Sequence, residues 1–408
     1  MKCGLLGGKL SHSYSPQIHA HLGKYSYGLF ERKPEDLKDF FQNEDFDAIN
    51  VTIPYKKDVI PYCAQLSDTA KRLGAVNTIV RRKDGTLIGH NTDYFGFETM
   101  LKKSGLTVSG KKVLVLGSGG AANTAIAVLQ DWGANVIVIS RSGENNYQNL
   151  HLHADAAAIV NCTPVGMYPN NGVSPVDLAL FPNLEGVLDM IYNPAKTRLL
   201  LDAENRGVVS VNGLLMLVAQ AKESAEWFTG TAISDEKIGM IHTLLRQQME
   251  NIILIGMPGS GKSTIGGILA EKTGKELMDA DTYLVEKAGR PIPEIFANDG
   301  EEVFRALETE VLSELGKQSG IILATGGGCV TREENYPLLH QNGTIFCILR
   351  DINTLNTDGR PLSQAMKLSD MYRVRKPLYE VFSDYTIDNN TSADDAAAQI
   401  LKIWEAQK

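Results

Sequence analysis

Two glycine-rich turns, each directly after a short apolar strand and directly before a helical run, constrain this 408-residue chain more than any other feature. In that context the free N–H groups of a helix N-terminus can hold phosphate. The first turn follows Val113-Leu114-Val115-Leu116 and reads Gly117-Ser118-Gly119-Gly120-Ala121-Ala122. A helical run to Gln130 and a strand over 135–139 complete a βαβ unit with buried parallel strands. The second follows 251–255 and reads Gly256-Met257-Pro258-Gly259-Ser260-Gly261-Lys262-Ser263, with later strands over 321–324 and 344–348. Two such openings require two α/β sheets, and the length suits two or three domains of about 100–200 residues.

A helical stretch from Asp235 to Gln248 runs into the second opening with only Met249 and Glu250 between them, so the main boundary is expected at 249. The segment before 95 carries its own strands (48–52, 78–80 and 87–88) and no nucleotide loop. The expected organisation is therefore a lobe over 1–95, completed by helices around 222–248, a dinucleotide-type lobe over 96–221, and a P-loop domain over 249–408. No linker-like tract or internal repeat interrupts this pattern.

At 43% hydrophobic and 22% charged residues the chain is too apolar to be disordered, and no apolar run is long enough to span a bilayer. Met1 to Leu6 is too short for a signal peptide and reads as a first strand. The five cysteines are scattered without a CxxC pair, and the histidines form no HExxH, so neither a disulfide framework nor a zinc site is expected. These features suit a reducing cytoplasm. Charge is uneven: residues 1–248 hold 24 Lys+Arg and 24 Asp+Glu, whereas 249–408 hold 16 and 24 and carry the whole net charge of −8. Such a surface is a poor nucleic-acid binder. The expected partners are small molecules, with no membrane or nucleic acid, and the oligomeric state is open.

In the first loop, Gly117 permits the tight turn and Gly119 lets the backbone approach a pyrophosphate. Arg141, just past the second strand, suits the 2′-phosphate of NADP better than the ribose of NAD. Upstream, Ser13 and Ser15 lie on one side of an extended segment and can grip a carboxylate. The alternative is that Ser15 caps a helix beginning at Pro16. Asn50-Val51-Thr52-Ile53-Pro54-Tyr55-Lys56 ends a strand on a lysine, and Asn91-Thr92-Asp93 offers a carboxylate. Brought together, Lys56 and Asp93 could pass a proton.

In the second loop, backbone N–H groups cradle phosphates, Lys262 neutralises them and Ser263 suits Mg²⁺. Asp279-Ala280-Asp281, Arg305, Gly326-Gly327-Gly328, Arg360 and Arg375 follow. Acids near a P-loop suit a metal and a hydroxyl-facing base, and separated arginines suit a carboxylate clamp and a phosphate lid. Helix caps and surface charges are the alternatives.

The ordered motifs SHSYSP, NVTIPYK, GAVNT, NTD, GSGGAA, NCTPVGM and NGLLMLVAQA make the first 248 residues resemble shikimate dehydrogenase. The resemblance implies a two-lobed α/β fold that reduces 3-dehydroshikimate with NADPH. On it, Lys56 and Asp93 are the catalytic pair, and Ser13 and Ser15 bind the carboxylate. Asn50, Thr52, Asn77, Tyr192 and Gln220 bind the substrate ring. Gly117, Ser118, Gly119, Gly120, Ala121, Arg141 and Gly213 hold the cofactor, with Asn161, Cys162 and Thr163 on the nicotinamide side. Two departures stand out. No second base follows Arg141, where Gly143-Glu144-Asn145-Asn146 occurs, and the stretch from Arg141 to Asn161 is short, so this part of the lobe should be trimmed and the adenosine end more open.

Residues 251–408 resemble shikimate kinase through GMPGSGKST, DAD, FRALE, ATGGG, GRPL and RKPLY. This implies ATP binding by Gly259, Ser260, Gly261, Lys262, Ser263, Thr264 and Arg360. Mg²⁺ falls to Ser263 and Asp279, and shikimate to Asp281, Arg305, Gly327, Gly328 and Arg375. Asp281 is the base, Lys262 and Arg360 the catalytic cations. Glu308, on the next turn of its helix, would orient Arg305. No base lies between Arg350 and Arg360 or from Pro377 to Leu401, so adenine is expected to rest on backbone and apolar contacts.

Together the resemblances imply a bifunctional shikimate-pathway enzyme using NADP(H) and MgATP. The alternatives are an NAD-dependent quinate/shikimate dehydrogenase fused to the kinase, and a non-catalytic quinate- or shikimate-sensing regulator.

Overall fold

The computed structural model describes residues 1–11, 13–355 and 367–406. Arg360 lies outside them. The chain forms two compact units. The first comprises 1–166, 173–192 and 202–244; the second comprises 167–172, 193–201 and 245–408. The helix Glu236–Met249 carries the chain from one to the other and leaves only Glu250 before the next strand. The units therefore part a few residues before the expected boundary, and the second takes in two short stretches from the first half of the sequence. Within it, the Ala195 N–H donates to Asn342 Oδ1 (2.9 Å) and the Lys196 N–H to Gln341 O (2.8 Å).

The first unit holds two sheets. One contains β1 (Lys2–Gly7), β2 (Ser26–Glu31), β3 (Ala48–Val51), β4 (Gln65–Leu66), β5 (Thr78–Arg81) and β6 (Leu87–His90), in the order β2-β1-β3-β5-β6-β4. It is mixed, because β5 runs antiparallel to both β3 and β6. Alternate side chains serve its two faces. Leu6, Ile49, Val51 and Ile79 pack into one core with Phe40 and Phe46, while Cys3 and Ala48 meet Phe228 on the other side.

The second sheet contains β7 (Lys112–Leu116), β8 (Asn135–Ile139), β9 (Ala158–Asn161), β10 (Gly186–Asp189) and β11 (Val209–Val211), all parallel, in the order β11-β10-β9-β7-β8. Among the described residues only a short 3₁₀ turn, Leu150–His153, lies between β8 and β9. The trimmed connection leaves β8 as a sheet edge. Its residues are mostly half-buried, whereas those of β9 are fully buried.

The second unit is built on β12 (Asn251–Ile255), β13 (Glu276–Asp279), β14 (Ile321–Ala324), β15 (Gly343–Leu349) and β16 (Tyr385–Asp388), parallel and ordered β13-β14-β12-β15-β16. Ile253 and Ile255 enter one core and Ile252 and Leu254 the other, as a sheet covered on both faces requires. Each parallel sheet carries its glycine loop at the carboxyl end of an interior strand, β7 or β12, where open α/β sheets bind ligands. Among the described residues no helix is long and apolar enough to cross a membrane.

Candidate active sites

In the first unit, fully buried Tyr55 anchors the turn after β3, its hydroxyl donating to Arg32 O at 2.5 Å. The Val76 N–H donates to Lys56 O (2.7 Å), tying the lysine beside the segment that carries Asn77. Asp93 opens the helix Asp93–Ser104, and its N–H donates to Asn91 Oδ1 (3.0 Å). The result is a direct ion pair: Lys56 Nζ lies 2.6 Å from Asp93 Oδ2. Asn77 Nδ2 donates to the other carboxylate oxygen, Oδ1, at 2.9 Å. Both partners of the pair keep partial exposure, 29% for Lys56 and 14% for Asp93, so a substrate can reach them.

Ser13 and Ser15 are adjacent, with the Ser15 N–H donating to Ser13 Oγ (3.2 Å). The short helix begins at Ser15 itself, with Tyr14 at the cap position and no side-chain cap, so the capping role considered for Ser15 is not taken. Tyr14 and Tyr192 meet edge to face at 6.2 Å, and burial raises the pKa of both phenols. Thr52 follows β3, its N–H donating to Leu6 O (2.9 Å). Asn50 is 5% exposed and bonds inward: its Oδ1 accepts from Tyr27 Oη (2.8 Å) and its Nδ2 donates to Ser224 Oγ (2.8 Å). Gln220, one turn before Ser224 on the helix Leu214–Thr229, brings its Oε1 to 3.3 Å from Thr92 Oγ1.

The cofactor loop presents Ser118, Gly119, Gly120 and Ala121 to solvent. Gly119 caps the helix Gly120–Asp131 with no side-chain bond, leaving the first amides of that helix without a side-chain cap. Gly117 turns at φ +106, and an added Cβ would stand 3.2 Å from Thr163 Cγ2 and 3.3 Å from Cys162 O. The loop therefore abuts the Asn161–Thr163 turn. Asn161 fixes that turn by accepting from the Thr163 hydroxyl (2.7 Å) and donating to fully buried Asp189 (3.0 Å). Burial pushes the Cys162 thiol well up. Arg141 is exposed past the end of β8. Gly213 closes against Met190, whose carbonyl oxygen would be 2.2 Å from an added Cβ. An uncapped helix start, a glycine turn and an exposed arginine fit a phosphorylated dinucleotide.

In the second unit, Gly261 (φ +99) precedes the helix Lys262–Thr273, and a Cβ there would lie 2.6 Å from Asn389 Nδ2. Gly259 and Ser260 precede it, and Thr264 is exposed one residue beyond Ser263. Lys262 curls into its own loop and donates to Gly256 O (2.9 Å) and Met257 O (3.1 Å). Asp279 caps the next helix with Oδ1, accepting from the Asp281 and Thr282 N–H groups (3.1 and 3.2 Å). Its Oδ2 accepts from the Ser263 hydroxyl at 2.7 Å. Cap and candidate metal ligand are thus one carboxylate serving with different oxygens, and two adjacent oxygen donors beside a P-loop fit Mg²⁺.

The helix Ile292–Leu315 breaks at Gly300, and Arg305 follows on its second part. Arg305 is 5% exposed and pairs with Glu308 (2.7 Å) and Glu301 (3.2 Å). Burial raises the Glu308 pKa against the pull of Arg305. The guanidinium lies flat against Gly328, where a Cβ would meet Arg305 Nη1 at 2.2 Å. Asp281 Oδ1 and Glu308 Oε1 face Gly326 from 2.8 and 2.7 Å on the same measure. Arg375 donates to Gly327 O (3.1 Å), as does the Tyr379 hydroxyl. Asp281, Arg305, Arg375 and the glycine turn therefore converge. Ser224 and Tyr379 complete the two clusters, and the sequence assigned a role to neither. Each stands four residues after a residue with an assigned role, Gln220 and Arg375, on the same helix face.

Comparison with known proteins agrees with both halves. The family model for the shikimate dehydrogenase substrate binding domain matches residues 5–79, and that for shikimate kinase matches 258–405. A curated shikimate dehydrogenase (NADP(+)) from Clostridium beijerinckii is 38% identical over 245 residues, covering 55% of this chain and 90% of the relative. The crystal structure of shikimate dehydrogenase 1 from Peptoclostridium difficile superposes with TM-score 0.55 at 38% identity, covering 60% of this chain and 98% of that one. A Thermus thermophilus shikimate 5-dehydrogenase in complex with NADP(H) and shikimate gives TM-score 0.54 at 29% identity, covering 59% and 98%. The chain belongs to the shikimate dehydrogenase family and carries a shikimate kinase domain in its second half.

Proposed function

We propose that the first half reduces 3-dehydroshikimate to shikimate with NADPH and the second phosphorylates the 3-hydroxyl of shikimate with MgATP. The Lys56–Asp93 ion pair, together with a P-loop whose Ser263 meets Asp279, carries the reading. When bound, NADPH supplies hydride and MgATP the phosphoryl group. Lys56 then faces an oxygen that gains negative charge, stabilises it and gives it the proton on Nζ. Asp93, held at both oxygens, keeps that ammonium in place. Ser13 and Ser15 would hold the carboxylate end of the substrate, and Thr52, Asn77, Tyr192 and Gln220 its ring. The inward bonding of Asn50 suits support of Asn77 and Thr78 as much as direct contact.

In the kinase, Arg305 and Arg375 would clamp the carboxylate while Asp281 takes the hydroxyl proton. Lys262 and Arg360 would offset phosphate charge, and Ser263 and Asp279 would hold Mg²⁺. Domain limits of 1–95 with 222–248, 96–221 and 249–408 belong to the same proposal. So does a cytoplasmic setting, which the free cysteines suit. The NADP(+) relatives support NADP over the NAD/quinate alternative. A paired Lys56 and Asp93 and a formed P-loop argue against a non-catalytic regulator.

The test is a cross of two substitutions in the full chain. Lys56→Ala should abolish reduction and leave phosphorylation of added shikimate intact, and Lys262→Ala should do the reverse. Loss of both activities from either change in a folded chain would refute independent sites.

A further inference from the structure

Behind the Lys56–Asp93 pair, three hydroxyls from three different elements meet in a fully buried cluster: Thr78 on β5, Thr92 before the helix Asp93–Ser104, and Ser224 on the helix Leu214–Thr229. Ser224 Oγ lies 2.9 Å from Thr78 Oγ1 and 3.0 Å from Thr92 Oγ1. It also donates to Gln220 O (2.9 Å) and accepts from Asn50 Nδ2 (2.8 Å). A serine hydroxyl has one proton and two lone pairs, so these four neighbours restrict the pattern sharply.

An assignment exists that leaves none of these donors without an acceptor. Ser224 gives its proton to Gln220 O and accepts from Asn50 and Thr92. Thr92 Oγ1, its proton directed to Ser224, accepts from Asn77 Nδ2 at 3.0 Å. Thr78 accepts from Asn50 Nδ2 (3.2 Å) and donates to Asn77 Oδ1 (3.0 Å), which also takes the Thr92 N–H (2.8 Å). Both ends of the Asn77 amide are then fixed, and its Nδ2 is left facing Asp93 Oδ1. Without the Ser224 oxygen, the Thr92 proton turns toward Gln220 Oε1 or Asn77 Oδ1 and Asn50 Nδ2 loses an acceptor, so Thr92 and Asn77, which hold Asp93, rest on a buried network with a missing member.

We infer that Ser224 is a positioning residue for the reduction. Through Thr92 and Asn77 it sets the orientation of Asp93, and through Asp93 that of Lys56. This rests on the dehydrogenase reading above. Buried polar chains of this kind rigidify a site only when every member is satisfied.

The test uses the full chain and shikimate oxidation with NADP⁺. Ser224→Ala should lower kcat about tenfold or more, as a misplaced catalytic pair does, with KM for NADP⁺ unchanged. It should also displace a limb of the kcat–pH profile. Thr92→Val, which keeps the shape and loses the hydroxyl, should do the same, while Thr92→Ser should restore most of the rate. The double variant Ser224→Ala/Thr92→Val should be no slower than the slower single one, because both break one chain. Phosphorylation of added shikimate by the same preparations checks that the chain is folded. Wild-type kcat and pH profile in Ser224→Ala, or additive losses in the double variant, would overturn the inference. If the wild-type chain itself failed to oxidise shikimate, the underlying reading would fall, and the inference with it.

Discussion

Lys56 Nζ meets Asp93 Oδ2 at 2.6 Å although the two residues stand 37 positions apart in the chain. One arrives on an anchored turn after β3 and the other on the first turn of a helix, so the pair exists only in the folded lobe. Asp93→Asn keeps the shape and removes the charge that holds the ammonium. It should lower kcat for reduction by about 10²–10⁴, the usual worth of a positioned proton-transfer group. Steady-state rates with NADPH check this, and phosphorylation of added shikimate should stay at its wild-type rate.

Arg305 and Glu308 form a buried pair, 6% and 3% exposed at the side chain. Among the described residues, Glu308→Ala leaves the guanidinium with exposed Glu301 as its carboxylate partner. Breaking a buried pair from one side costs about 3–5 kcal/mol, so the kinase transition should move to lower temperature in calorimetry. The KM for shikimate should rise with it. Unchanged melting and KM would mean that Glu301 alone holds Arg305.

Much of this was legible in the sequence. Both phosphate loops showed because a glycine turn between an apolar strand and a helix is a local signal. The trimmed connection after Arg141 showed because the stretch to Asn161 is shorter than the strand-and-helix excursion that the resembled family commonly has there. The mixed first sheet was less readable, since β5 and β6 are short and their direction depends on pairing with β3. Ser224 was silent, and Thr78 and Tyr379 stood only as the last letters of GAVNT and RKPLY without a role, for a related reason: each matters through what it touches across long sequence separations. The resemblance makes Asn50 a substrate ligand, and in the folded lobe its amide bonds to Ser224 and Thr78. Arg360 lies outside the described residues, and its role stays with the sequence reading.

Arg141 stands exposed at the edge strand, with no second base in the four residues that follow. If it holds the 2′-phosphate, Arg141→Ala should raise KM for NADP⁺ about tenfold or more, the worth of a charge-assisted hydrogen bond. KM for NAD⁺ should barely move. Equal effects on both cofactors would assign the arginine to some other contact.

His19 is buried between Tyr27 and Phe228, at ring distances of 4.1 and 5.6 Å. Burial lowers its pKa from the ordinary 6.5 to about 3. The folded chain thus resists protonating a group that the unfolded chain protonates readily. Its stabilising contribution is full above pH 6.5 and is lost as pH falls toward 3. Below pH 6.5 the first unit should lose about 1.4 kcal/mol per pH unit through this residue. His19→Phe should flatten that slope when melting is followed by calorimetry, and parallel slopes would contradict the assignment.

The account as a whole turns on two consecutive activities in one chain. The direct measurement supplies purified full-length protein with 3-dehydroshikimate, NADPH and MgATP and follows NADPH, shikimate and shikimate 3-phosphate together. The account predicts NADPH oxidation followed by conversion of the shikimate to its 3-phosphate, with neither step requiring added enzyme. Shikimate that accumulates without phosphorylation, or NADPH that is never consumed, would contradict it.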